Sequence, residues 1–349
     1  MNRLCRYYFI GMVAVLTLQF SCKDKIVAPP IKNPREYTWT MDTIAYPGSY
    51  QTAMRSIYAT APNNVYIVGH NDGAFGKMYR YDGKKWQPVD LAFGLSSLSS
   101  IYGFGQNNIW AVGHTSSYNP NPPPNFLFSS KIIQFDGVRW NEHSANSGSM
   151  LQTVWGSSPN DIWAAGGGTL FHYDGLKWTK QQMDPRDGFY HIHGLSSNEI
   201  YLLGIRTLDS LNPWQEYHVL LRYNGFSWSV IDSVSVMSYS YPFGVARLGS
   251  ISGTMYSLAD GVYSLRGGVW KQELTTNSPL QCLYASSSTN AFVVGQNSLI
   301  YHYDGQTWQQ LMNIVDDGWW FTGVWNSEKE AFIVGYDAGG YKTIVLRGK

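Results

Sequence analysis

The chain has little charge and little cysteine. Of its 349 residues only 14% are charged, and 25 basic residues stand against 24 acidic ones. Nucleic-acid-binding proteins need a clustered basic surface, so this balance excludes nucleic acid as a partner. The three cysteines are Cys5, Cys22 and Cys282, and the first two belong to the N-terminal segment. A single cysteine in the body of the protein permits no intramolecular disulfide, and its stability has to come from packing.

The chain also lacks an apolar run long enough to cross a bilayer comfortably. Residues 7–20 follow Arg3 and Arg6 and have the form of a signal peptide. Residues 18–22 read Leu-Gln-Phe-Ser-Cys, which is similar to a lipobox. We predict a lipoprotein signal peptide over residues 1–21, lipidation of Cys22 and a tether over residues 22–36. The protein is then extracytoplasmic and anchored to the outer membrane. The alternative is a soluble secreted protein with an incidental cysteine.

Glycine and aromatic side chains are abundant and occur in a repeat. There are 35 glycines, and 15% of the residues are aromatic. An aromatic residue, then Asp or Asn, Gly, two variable residues and Trp recurs at residues 81–86, 135–140, 173–178, 223–228 and 303–308. A degenerate copy occupies residues 266–270. Asp-Gly or Asn-Gly between apolar residues predicts a β-hairpin with a two-residue type I′ turn.

A second module precedes each hairpin. It consists of two apolar strands joined by a short polar turn, as in Ser56–Tyr58, Pro62–Asn64 and Val65–Gly69. Further copies begin near residues 100, 153, 191, 246, 282 and 323. Each repeat of roughly 40 to 50 residues then holds four short strands, which is typical of a β-propeller blade. Seven copies predict an all-β fold, a seven-bladed β-propeller of four-stranded blades, over residues 37–349.

The Trp hairpins number one fewer than the preceding modules, and this difference predicts how the ring closes. The last repeat ends at residues 343–349 without a Trp strand, whereas residues 37–41 read Tyr-Thr-Trp-Thr-Met. We predict that this N-terminal strand completes the last blade, with Trp39 in place of the missing Trp and the join near Val345. No sheet edge of that blade is then left bare. The repeated Trp residues are predicted to pack blade on blade rather than to bind a ligand.

The repeats resemble two known kinds of propeller repeat. An apolar strand ending in Gly, then Tyr-Asp and later Trp, resembles the kelch repeat, and Gly-x-x-Trp after an acidic residue resembles the Asp-box of sialidase-like propellers. Only Gly166-Gly167 reproduces the kelch glycine doublet, and Asp82-Gly83 lacks the residue that an Asp-box places between Asp and Gly. Residues 37–349 as a whole resemble an uncharacterised class of bacterial propellers. The resemblance implies a fold, and the fold leaves the function open.

Loop lengths divide the predicted propeller into two faces. The Asp-Gly hairpins and the Asn-type turns are short and uniform, and they share what we call the hairpin face. The loops that enter each innermost strand, and those between the second and third strands, vary in length and share the opposite, variable face. Aromatic side chains there could stack on sugars or anchor a peptide, and packing against blade edges is the alternative. The ligand-binding candidates are Tyr118, Phe189, Tyr190, Trp214, Tyr241, Trp319 and Trp320.

Patterns for catalysis are weak. A sialidase-like site needs three converging arginines, but only Arg55 and Arg247 fall on candidate inner strands, where they share strand parity. Arg186 or Arg206 would have to supply the third from a loop. The acid pair at residues 316–317 lies on a loop of the variable face and suits glycoside hydrolysis only at the right separation.

Patterns for metal and cofactor binding are equally weak. Asp184 and Asp187 form a second loop pair of the same kind as residues 316–317. His191 and His193 lie on one side of a strand without a third ligand, which favours a packed or channel-lining pair over a metal site. We therefore expect no metal and no cofactor.

The sequence predicts a non-catalytic binding or scaffolding lipoprotein that recognises a glycan or a protein through the variable face. It would contact the membrane through its lipid anchor only. A glycan-active enzyme, sialidase- or glycosidase-like, with acids at the channel mouth is the first alternative. A purely structural role in a surface assembly is the second.

Overall fold

The computed structural model describes residues 32–121, 125–145, 147–209, 215–237, 242–243, 247–311, 318–339 and 341–349. In this part of the chain nearly all regular structure is β, with 28 strands and a short 3-10 helix at Pro34–Glu36. No helix within these ranges has the length and apolar character needed to span a bilayer. Cys22 and the predicted signal peptide lie outside the described residues, as do Trp214 and Tyr241.

After β1 the strands follow one another in six groups of four and a last group of three. The first groups are β1 (Trp39–Ile44); β2 (Thr52–Ala61), β3 (Asn64–Asn71), β4 (Met78–Tyr81), β5 (Trp86–Pro88); β6 (Ser97–Gly103), β7 (Ile109–Tyr118), β8 (Phe126–Phe135), β9 (Trp140–His143); and β10 (Thr153–Ser158), β11 (Asp161–Gly166), β12 (Thr169–Tyr173), β13 (Trp178–Lys180). The others are β14 (Asp187–Ser196), β15 (Glu199–Thr207), β16 (Glu216–Tyr223), β17 (Trp228–Ser235); β18 (Arg247–Ile251), β19 (Thr254–Leu258), β20 (Gly261–Arg266), β21 (Val269–Thr275); β22 (Leu280–Ser287), β23 (Asn290–Gly295), β24 (Ile300–Tyr303), β25 (Trp308–Gln310); and β26 (Trp319–Asn326), β27 (Ala331–Asp337), β28 (Thr343–Gly348).

The groups are antiparallel meanders arranged in a closed cycle. Hydrogen bonds join the described strands into five four-stranded sheets and one eight-stranded sheet. In the eight-stranded sheet, the group β2–β5 and the group β6–β9 are linked by a single residue pair, His70 with Ser97. The first strand of each group contacts the first strand of the next, and β26 contacts β2. The fold is an all-β propeller, as predicted. The His70–Ser97 pair joins two of the groups, so hydrogen bonding gives six sheets and not the seven separate four-stranded sheets that were predicted.

The two ends of the chain share one sheet. Strand β1 pairs antiparallel with β28, with Trp39 opposite Gly348 and Asp42 opposite Val345, and the sheet order is β1-β28-β27-β26. The prediction that the N-terminal strand completes the last sheet is confirmed. Gly348 is required there because a Cβ atom would lie 2.9 Å from the Trp39 ring.

Trp39 also packs as the hairpin tryptophans do. Its ring lies 6.3 Å from that of Phe292 in the preceding sheet, centroid to centroid. In the same way Trp178 lies 5.5 Å from Trp110 of the sheet before it. Among the described residues there are seven hydrophobic clusters between consecutive groups, and each has one half-buried outer tryptophan packed against it. These are Trp39, Trp86, Trp140, Trp178, Trp228, Trp270 and Trp308. Their structural role between sheets is confirmed.

The Asp-Gly hairpins form, but their predicted type I′ turn is wrong. Tyr81 is opposite Trp86, so four residues make the connection and only Gly83, at φ 94°, has a positive φ. The Asp82 carboxylate accepts hydrogen bonds from the Lys84 and Lys85 N–H groups at 2.8 and 2.9 Å. Because the carboxylate binds these two N–H groups, the turn forms with one residue of positive φ, where a type I′ turn needs two. The same caps are made by Asp136, Asp174, Asn224 and Asp304.

Among the described Trp hairpins, only the degenerate copy has a two-residue turn. Arg266 pairs with Val269, and the two residues between them, Gly267 and Gly268, have φ values of 57° and 79°. Two positive φ values at the centre of the hairpin are the signature of a type I′ turn. The glycine pair can adopt them without strain, so this hairpin needs no acidic cap.

Candidate functional site

The side chains that face the central channel come from the first strand of each group. In five of these strands the pairing with the second strand skips one residue at the same place. The skipped residues are Arg55, Ser99, Tyr190, Gln281 and Thr322. A β-bulge re-aims a side chain, so two successive residues can face the same side of a strand. Arg55 and Ser56 both line the channel for this reason.

At one repeated position of the inner strands, a side chain ties four of the seven strands to the next one. This side chain accepts a hydrogen bond from a backbone N–H group on the neighbouring inner strand, and we call this row of acceptors the inner belt. The belt pairs are Ser56 Oγ with the Ile101 N–H (3.2 Å), Ser100 Oγ with the Val154 N–H (3.3 Å), Thr153 Oγ1 with the Ile192 N–H (3.3 Å) and His191 Nδ1 with the Leu248 N–H (3.2 Å). The belt satisfies backbone donors on strand edges that have no further strand to pair with.

A cavity of about 420 Å³ lies at one mouth of this channel, and all seven inner strands or their leading residues line it. His114 and Tyr336 line it from β7 and β27, toward the loops that join second and third strands. The cavity therefore opens on the variable face. Its lining contains the cations Arg55 and Arg247, and no Asp or Glu among the described residues. The other lining groups are mainly hydroxyls, amides and imidazoles.

Arg247 is the charged group on one side of the cavity. Burial lowers its pKa, and the titratable groups that act on it are Tyr190, Cys282 and Tyr336, none of them a carboxylate. Burial raises the pKa of Cys282 to about 11 and raises that of Tyr190, so both are neutral at pH 7. Burial also lowers the pKa of His191 well below its usual value, with smaller effects from Arg247 and His193. The positive charge of Arg247 has no nearby compensation in the described structure.

Arg55 supplies a second positive charge from the opposite part of the ring. It is exposed, on the bulge of β2. Burial is the main cause that lowers the pKa of His114, and the charge of Arg55 adds to it. The charge of Arg55 also lowers the pKa of His70, although burial and the charge of Lys77 lower it more. Both imidazoles are held neutral, so the arginines carry the charge of the site.

The predicted aromatic residues do not form one surface. Tyr190 lines the cavity, and the Trp320 ring lies 6.2 Å from that of Tyr336, another lining residue. Trp319 is half-buried and packs against a hydrophobic cluster. Tyr118 is 69% exposed at the end of β7, where residues 115–118 continue the strand instead of forming the predicted loop.

Phe189 is not available to a ligand, because only 1% of it is exposed. It packs in the hydrophobic cluster between the groups β10–β13 and β14–β17. The bulge separates it from Tyr190, and the two neighbouring rings face different surroundings for that reason. Trp214 and Tyr241 lie outside the described residues.

The predicted acid pair Asp184 and Asp187 is held in ion pairs. Arg206 binds the buried Asp187 carboxylate through two hydrogen bonds of 2.6 and 2.8 Å. Arg186 binds Asp184 at 2.6 Å and, through this hydrogen bond, holds the pKa of that carboxyl well below its usual range. These arginines are committed to neighbouring acids and do not join Arg55 and Arg247. Among the described residues no cluster of three or more His, Cys, Asp or Glu could hold a metal ion.

Sequence reasoning found both arginines but gave them the wrong register. Arg55 occupies the bulge, whereas Arg247 occupies the belt position of Ser56. The two arginines therefore do not stand at the same position of their strands, as the sequence had suggested. The lining residues Gln152, His114 and Tyr336 carried no signal of their own. Bulges at a repeated position could have been suspected only from an alignment of the inner strands with one another.

Solved structures similar to this chain are propellers of low sequence identity. YCF48 bound to a D1 peptide aligns over 90% of this chain and 95% of its own, with 15% identity and a TM-score of 0.61. The WD40 β-propeller domain of Doa1 aligns over 89% and 97%, with 12% identity and a TM-score of 0.56. The extracellular domain of a putative hybrid two-component system from B. thetaiotaomicron aligns over 88% of this chain and 40% of its own, at 13% identity and a TM-score of 0.59.

These likenesses show the fold alone. No protein-family model matches the sequence, and no curated protein matches it. The chain is therefore assigned to the β-propeller fold.

Proposed function

We propose that this protein is a non-catalytic binding or scaffolding protein that recognises a protein or glycan ligand through its variable face. The observation that carries the proposal is the cavity of about 420 Å³ that opens on this face. Its volume falls within the ~300–1,000 Å³ of ligand pockets. Its lining offers charged and polar donors at fixed positions on strands, which suits recognition.

A glycan-active enzyme is the less favoured function. Glycoside hydrolysis needs one carboxyl group that stays protonated near neutral pH as an acid. Arg186 instead lowers the pKa of Asp184 and stabilises its charged form, and Asp187 is bound by Arg206. Residues 316–317 lie outside the described structure.

We also propose that the ring has seven blades. The eight-stranded sheet counts as two blades because only the His70–Ser97 pair joins its halves. Seven hydrophobic clusters, each with its own outer tryptophan, support this number, as does the cycle of seven inner strands. We also propose that the repeats are a divergent form related to the kelch repeat, through Tyr-Asp followed by Trp, and to the Asp-box, through Gly-x-x-Trp after an acidic residue.

The chain end supports an arrangement in which the variable face points away from a membrane. We retain residues 1–21 as a lipoprotein signal peptide, Cys22 as the lipidated residue and residues 22–36 as the tether of an extracytoplasmic protein. Arg35 donates to the Thr307 carbonyl at 2.8 Å and pairs with Asp304 at 2.8 Å, both in a loop of the hairpin face. Arg35, at the described end of the proposed tether, therefore lies on the hairpin face, and the cavity opens on the opposite side.

Blocking one face at a time tests the proposed function. A polyethylene glycol chain would be attached through maleimide to Met150→Cys, which borders the cavity, or to Leu176→Cys, which is 89% exposed on the hairpin face of the same group of strands. Peptide and glycan arrays would be probed with the full chain in detergent. We expect binding that is lost with the first modification and retained with the second.

Two results would contradict the proposal. Binding blocked only from the Leu176→Cys position would locate recognition on the hairpin face. Hydrolysis of a labelled oligosaccharide by the unmodified protein would favour the enzyme.

A further inference from the structure

Arg247 interrupts the inner belt. It occupies the position at which Ser56, Ser100, Thr153 and His191 accept a backbone N–H from the next inner strand. A guanidinium group has only donors and cannot accept such a hydrogen bond. The chain therefore forgoes a stabilising contact between β18 and β22 and places a cation in the channel wall. A departure from a repeated structural rule of this kind is expected at functional sites.

The cation needs an anionic partner that the described protein does not provide. A charge removed from water is costly unless it is paired. The titratable groups that act on Arg247 include no carboxylate, and no carboxylate lines the cavity in the described part of the chain. Arg55 adds a second guanidinium on the other side of the mouth. An Arg side chain binds a carboxylate through two parallel hydrogen bonds, which is the strongest pairing available to it.

The remaining lining selects among carboxylate ligands. A free amino acid carries an ammonium group, which is a charged donor and is best paired with a carboxylate. The cavity has no carboxylate among its described residues. A peptide end has one carboxylate and a few amide N–H donors, for which the oxygens of Gln152, Gln281 and Thr322 are sufficient acceptors. Because inner strands surround the cavity, such a ligand enters end-on from the variable face.

We propose that the channel mouth binds the C-terminal carboxylate of a polypeptide, with Arg247 as its main partner and Arg55 as the second cation. This rests on the proposed binding function and names the group that the site recognises. Capture of a C-terminal carboxylate by fixed donors is an established mode of peptide recognition. Within this site Arg247 provides specificity, while the belt and the bulges hold its surroundings in place.

The experiment compares peptides that differ only in their last group. A library of peptides fixed by their N-termini, each with a free C-terminal carboxylate or with a C-terminal amide, is probed with the full chain in detergent. We expect the free acids to bind roughly tenfold or more tightly than the amides, since a charged hydrogen-bonded pair is lost with the amide. This comparison needs no protein variant and is independent of folding.

Arg247→Ser separates binding from stability. The new hydroxyl can accept the Leu283 N–H as Ser56 accepts that of Ile101, so the melting temperature should stay the same or rise. Binding of the free acids should fall roughly tenfold or more. The matched control is Arg80→Gln, since Arg80 stacks on Tyr66 at 5.6 Å, away from the cavity, and binding should not change.

Three results would overturn this inference. Equal binding of acids and amides, or unchanged binding by Arg247→Ser, would show that no terminal carboxylate is read. Binding of uronic-acid-terminated oligosaccharides in place of peptides, with loss in Arg247→Ser, would assign the site to an acidic sugar. If binding is blocked at Met150→Cys but acids and amides bind alike, the proposed function stands and this inference fails. Absence of any peptide or glycan ligand means that the proposed function itself fails.

Discussion

At the scale of single residues, the repeated Asp or Asn of each hairpin has a different role from the one that its sequence suggests. The motif indicates two left-handed residues, but the structure needs only one, at the glycine. The acidic or amide oxygen caps the N–H groups two and three residues later. This explains why Asn224 can take the place of Asp, since both side chains provide the same acceptor oxygen.

Asp174→Ala should lower the midpoint of chemical denaturation, because the Leu176 and Lys177 N–H groups lose their acceptor, 2.9 Å away in each case. Asp174→Asn is the control and should keep the midpoint near that of the wild type at pH 7. The backbone hydrogen bond from Lys177 is the largest cause that lowers the pKa of Asp174. The carboxylate of Asp174 therefore stabilises the fold at every pH above its pKa in the unfolded chain. This stabilisation is lost as the pH falls through the lower pKa that Asp174 has in the folded protein.

The difference between wild type and Asp174→Ala should accordingly shrink in acid. Equal midpoints for the wild type and Asp174→Ala at pH 7 would exclude the cap as a source of stability.

At the scale of elements, the N-terminal strand β1 holds the last sheet together from outside. It contributes the seventh outer tryptophan and covers the edge of β28. Its other residues are mostly exposed, and Met41 is 55% exposed. The contribution of β1 to packing therefore comes from Trp39 at its start and from the buried Ile44 at its end.

Trp39→Ala should lower the free energy of unfolding by about 3 kcal/mol, since a large aromatic side chain leaves a cavity against Phe292 and Gly348. It should also make residues 37–44 sensitive to protease, because the strand loses its main packing contact. Met41→Ala in the same strand is the matched control and should have little effect. Denaturant titration and limited proteolysis measure both. Wild-type behaviour of Trp39→Ala would contradict closure by this strand.

At the scale of the whole molecule, the two faces serve different purposes. The hairpin face consists of short capped turns. Arg35, just before the first strand, binds one of these turns. The variable face holds the cavity and its two arginines. If the tether is lipidated at Cys22, the protein should stand on a membrane with the cavity outward.

This orientation can be measured with a fluorophore at Leu176→Cys or at Met150→Cys, on the lipidated chain in vesicles that contain a quencher lipid. Leu176→Cys, on the hairpin face, should be quenched more strongly than Met150→Cys. The Cys22→Ser chain should fail to associate with the membrane fraction of a Gram-negative host. Equal association of the two chains would reject the lipid anchor, and stronger quenching at Met150→Cys would reverse the orientation.

The repeat, the strands and the closing of the ring can all be predicted from the order of residues along the chain. Spacing of tryptophans and glycines along the chain is a local property, because each hairpin and each outer tryptophan is defined within a few residues. The missing seventh tryptophan hairpin pointed to Trp39, and the pairing of Trp39 with Gly348 confirms it.

Which side chains face the channel depends on contacts between strands that are distant in sequence. Phe189 and Tyr190 are neighbours in sequence, yet one is buried between sheets and the other lines the cavity, because a β-bulge lies between them. The belt is likewise invisible in one strand, since each of its hydrogen bonds joins two strands about 40 to 60 residues apart. Arg55 and Arg247 come together only when the ring closes, since they lie on strands of different groups that face one another across the channel.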